Sequence, residues 1–102
     1  MKKNVTREFN RLYGNLVELH NRVYDDSFEY PRVLCAKWFV DTLATVVGNE
    51  DFSNMLTEQQ ISDIMRMSQD FLKSNFLDKN FKRSLRLSLK ELNNVKTNTL
   101  GL

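Results

Sequence analysis

The chain has 102 residues, 15 Lys and Arg against 13 Asp and Glu for a net charge of +2, 41% apolar residues and one cysteine, Cys35. That length supports one domain over residues 1–102 with one modest core, which excludes a two-domain enzyme with a cleft between its halves. A lone cysteine excludes an internal disulfide, no apolar run is long enough to cross a bilayer, and Met1-Lys2-Lys3-Asn4 leads into a polar periodic stretch; together these predict a cytoplasmic protein with no signal peptide and no membrane span.

Helical spacing dominates throughout, so the expected class is all-α, a four-helix bundle or a compact helical array. Val5, Phe9, Leu12, Tyr13, Leu16, Leu19, Val23 and Tyr24 fall on one face of a helix over residues 4–24. Arg7, Arg11, Glu18 and Arg22 take the opposite face, where Gly14 costs helix propensity but opens no core void. Pro31 suits the first turn of a second helix, 31–47, whose apolar arc is Val33, Ala36, Phe39, Val40, Leu43, Val46 and Val47; Gly48 is expected to stop it in a left-handed conformation.

Thr57-Glu58-Gln59-Gln60 reads as a capping box flanked by Leu56 and Ile61, starting a third helix over 58–77. Its face is Ile61, Ile64, Met65, Ser68, Phe71, Leu72 and Phe76. Asp78 is placed to cap a fourth, 79–95, bearing Phe81, Leu85, Leu89, Leu92 and Val95, with a frayed tail over 97–102.

The sequence carries no GxGxxG, GxxxxGK[ST], GxSxG or HExxH, and three glycines leave no loop able to cradle a phosphate. The only histidine, His20, falls inside the apolar arc of the first helix, where it reads as a packed boundary residue instead of a general base. One His and one Cys cannot build a structural zinc site, and Asp25, Asp26 and Glu29 lack the spacing of a calcium loop. No catalysis, metal or cofactor is therefore expected. Cys35, among apolar neighbours, reads as a small hydrophobe.

Two surfaces remain. Leu34 and Trp38, one turn apart, project from the edge of the second helix beside Lys37, Asp41 and Thr45, outside its main arc. A tryptophan so placed is a candidate interface anchor, unless the segment 48–56, with Phe52, Met55 and Leu56, folds over that edge. Residues 79–102 carry six cations and one anion, and Lys79, Lys82, Arg83, Arg86 and Lys90 project into one arc about 100° wide, with Leu87 beside it. Such a stripe runs along phosphates, lies on an anionic membrane, docks on an acidic protein, or merely solvates the helix and balances the acidic 25–60 block. Missing glycine turns and missing stacking aromatics argue against a helix-turn-helix and a single-strand binder.

The leading expectation is a small non-catalytic interaction or regulatory protein, self-associating as a dimer through Leu34, Trp38 and Asp41 with Leu87 as a minor contact, and acting on a larger protein. The alternative is a nucleic-acid-binding protein using the basic face of the last helix.

Overall fold

In the computed structural model, residues 2–24 and 32–100 are described, without the side chains of residues 2, 3 and 96–100. They form five helices and, among the described residues, no strand: α1 (Lys2–Val23), α2 (Arg32–Gly48), α3 (Glu50–Ser53), α4 (Glu58–Lys73) and α5 (Lys79–Leu100). The class is all-α, and a radius of gyration of 13.7 Å matches a compact chain of this length, for which about 13 Å is usual. The expected cap region and carboxylate cluster over 25–31 lie outside the described residues.

Local chemistry accounts for the ends of the helices. Thr57 and Gln60 form the reciprocal capping box, Gln60 N–H donating to Thr57 Oγ1 at 3.1 Å and Thr57 N–H to Gln60 Oε1 at 3.0 Å. Asp78 Oδ1 accepts the Phe81 N–H at 2.8 Å, opening α5.

Several expectations need correction. Gly48 does not stop α2 by a left-handed turn, since no described glycine has a positive φ. It is the last helical residue, and the chain turns at Asn49, extended at φ −111° and ψ 117°, whose side chain accepts from Asp51 and Phe52 N–H to start α3 within the expected loop. The third long helix ends at Lys73 and not at residue 77. Ser74 turns extended at ψ 137° while its hydroxyl donates back to the Asp70 carbonyl at 2.8 Å, replacing a helical bond with a local one. Phe76 consequently leaves the core, 37% exposed with the Arg32 guanidinium 5.5 Å above its ring, and Met67 and Leu77 are buried instead. α5 extends to Leu100, past the expected end at residue 95.

The first and third of the long helices run in the same direction, and so do the second and fourth. Tyr13 lies near Asp63 and Arg66, His20 bonds Asp70 and Tyr24 bonds Ser74, so α1 and α4 advance in the same direction. Shallow hollows between α2 and α5 pair Val33, Lys37 and Val40 with Asn80, Phe81 and Ser84, then Ala44 and Val47 with Leu87, Ser88 and Glu91, so these two are parallel as well. The result is a compact helical array in which α2 lies between α1 and α5, and α3 closes the ends of α1 and α2.

Phe71 sits at the centre with no exposure. Its ring meets Phe39 of α2 at 4.6 Å, His20 and Tyr24 of α1 at 5.6 and 5.7 Å, and Phe81 of α5 at 6.2 Å, tying all four long helices together.

Candidate interaction surfaces

The outer face of α2 is built from residues its own packing leaves over. Cys35, Ala36, Phe39, Val40, Leu43, Val46 and Val47 are buried, directed at α1 and α5. Val33 is not among them: it is 54% exposed, a departure from the expected arc, because it lies at the margin where α5 begins. Leu34 and Trp38 are 38% and 40% exposed, and Lys37, Asp41, Ala44 and Thr45 are exposed between the two margins.

The segment after α2 does not remove this surface. Phe52 and Leu56 are buried, but α3 follows the C-terminal end of α2, about 15 Å of helix beyond Trp38. Neither the Lys37 ammonium nor the Asp41 carboxylate makes an ion pair or hydrogen bond among the described residues, although they stand one turn apart. Lys preceding Asp at this spacing is the weaker orientation of a helical pair.

The outer face of α5 collects the basic stripe. Lys79, Lys82, Arg83, Arg86, Leu87 and Lys90 line one shallow open hollow along the helix. Lys82 is half-buried, the other cations are exposed, and Leu87 is 61% exposed. None of these five cations has an ion pair or side-chain hydrogen bond among the described residues. The acidic 25–60 block therefore does not balance them by direct contact from its described residues. Leu87 lies on α5 beside Ala44 and Val47 of α2, so it is shared between the margins of the two surfaces.

His20 is placed where the helical projection puts it, at the edge of the α1 core face, and its Nε2 lies 2.7 Å from Asp70 Oδ2. The imidazole is packed between Tyr24 and Phe71, and the pair links α1 to α4. Asp70 and Ser74 as partners for α1 could not be found from the sequence, because periodicity within each helix does not set which residues of α1 and α4 come level with one another. Among the described residues no group of three His, Cys, Asp or Glu side chains could hold a metal ion, and no helix is long and apolar enough to cross a membrane.

The chain matches no protein-family model, no curated protein and no solved structure.

Proposed function

We propose that this chain is a non-catalytic helical interaction protein that self-associates through the outer face of α2 and acts, as a dimer in the cytoplasm, on a larger protein. The supporting observation is that the sole tryptophan, Trp38, stays 40% exposed beside Leu34 on a helix whose other side is fully packed. Burying that edge recovers apolar area, and tryptophan concentrates binding energy at interfaces.

A second copy fits the charge pattern. In a two-fold symmetric contact the same patch meets itself, so a charge needs its opposite within the patch. Two antiparallel α2 helices related by an axis between positions 37 and 41 set each Lys37 against the partner's Asp41, with Trp38 close to the axis.

Sedimentation at graded concentration tests this, with Trp38 emission as an internal probe that should shift to the blue as the dimer forms. Trp38→Ser is expected to raise the dimer dissociation constant at least about tenfold. Lys37→Asp should also break the dimer by opposing two carboxylates, and the double exchange Lys37→Asp with Asp41→Lys should restore it. A chain that stays monomeric at high concentration, or a dimer indifferent to all three variants, would refute the proposal. A larger protein that binds the dimer should be lost with Trp38→Ser.

A further inference from the structure

We propose that the outer face of α5 binds the phosphate backbone of double-stranded DNA. The inference is independent of α2 self-association and rests on a different surface.

Three observations carry it. The cations Lys79, Lys82, Arg83, Arg86 and Lys90 have no anionic partner among the described residues, so their charge is not consumed by the fold. They occupy one face over eleven residue steps, about 17 Å of straight helix, with no acidic side chain in the arc. Duplex DNA carries about one phosphate per 1.7 Å of its axis, counting both strands, so about ten phosphates lie along that length, about twice the number of cations.

Alternative occupants fit less well. An anionic bilayer is held by an amphipathic helix whose apolar face inserts, but Leu85 and Leu92 are fully buried in the core. Protein interfaces are depleted in lysine at their centres and rely on aromatic anchors, whereas this face offers three lysines and only Leu87 as an exposed apolar side chain. A single strand would need aromatic platforms, and the one described aromatic of α5, Phe81, packs on Phe71.

The test is fluorescence anisotropy of a short labelled DNA duplex with the full chain, over a salt series. Five phosphate contacts predict a slope of log K against log salt of about −4.5, a loss of about 500-fold between about 50 and about 200 mM salt. Arg83→Gln with Arg86→Gln should lower the affinity and reduce the slope by about 0.9 for each cation removed, a response that a merely structural role would not produce. Helicity and melting of the variants should match the wild type, since both positions face solvent.

Absence of duplex binding at low salt, or a slope unaffected by the substitutions, would overturn the inference. Equal or tighter binding to phosphatidylserine vesicles, to polyglutamate or to a single-stranded oligonucleotide would also overturn it and assign the face to that occupant. Duplex binding that persists in Trp38→Ser would support it even if the α2 proposal had failed.

Discussion

At the residue scale, Tyr24 shows how partial burial turns into a pH dependence. Its hydroxyl lies 2.7 Å from Ser74 Oγ, and its ring packs against His20 and Phe71. Burial raises its pKa, the Asp70 charge adds to the rise, and the Ser74 hydrogen bond and Arg32 oppose it. The folded protein thus holds this proton more tightly than the unfolded chain. That contribution to stability is complete below about pH 10 and is lost as the pH climbs through the folded value. Melting temperature should accordingly fall in the alkaline range, and Tyr24→Phe should flatten that fall. Tyr13, also raised mainly by burial, leaves a residual slope. A near-ultraviolet phenolate titration checks the direction: a Tyr24 midpoint at or below that of free tyrosine would contradict it.

At the scale of the element, the ends of the helices follow from short-range chemistry. The capping box of α4 and the Asp78 cap of α5 involve residues three apart, so no distant segment is needed to specify them. Gly14 illustrates the same independence. It lies exposed in α1, and a methyl group built there meets nothing within 4 Å. Gly14→Ala should stabilise the fold by about 0.5–1 kcal/mol, mainly by restricting the unfolded chain. Thermal melting should rise by a few degrees; an unchanged or lower midpoint would show that the site is more crowded than this spacing implies.

For the whole molecule, Phe71 is the point on which the helices depend together. Its ring touches Phe39, His20, Tyr24 and Phe81, drawn from three other helices. Phe71→Ala removes contacts on all sides at once and should cost about 3–5 kcal/mol, a large share of the about 5–15 kcal/mol that holds a small domain folded. Phe71→Leu fills part of the cavity and should cost less. Urea unfolding monitored by helicity and by Trp38 emission should show the loss on both probes with coincident midpoints. A change confined to one probe would mean that the helices unfold separately.

The sequence by itself determined the class of fold, the capped starts of α4 and α5, and the membership of both outward faces. Each of these depends on the helical period or on neighbours within a turn, so Leu34, Trp38 and the five cations could be grouped before any packing was known. Only the tertiary structure decided that Val33 and Phe76 leave the core while Met67 and Leu77 enter it, and that His20 meets Asp70 and Tyr24 meets Ser74. Periodicity shows which side of a helix is apolar but carries no information about which helix will cover it. The margins of a face, where Val33 and Phe76 lie, are buried or exposed according to the position of that neighbour.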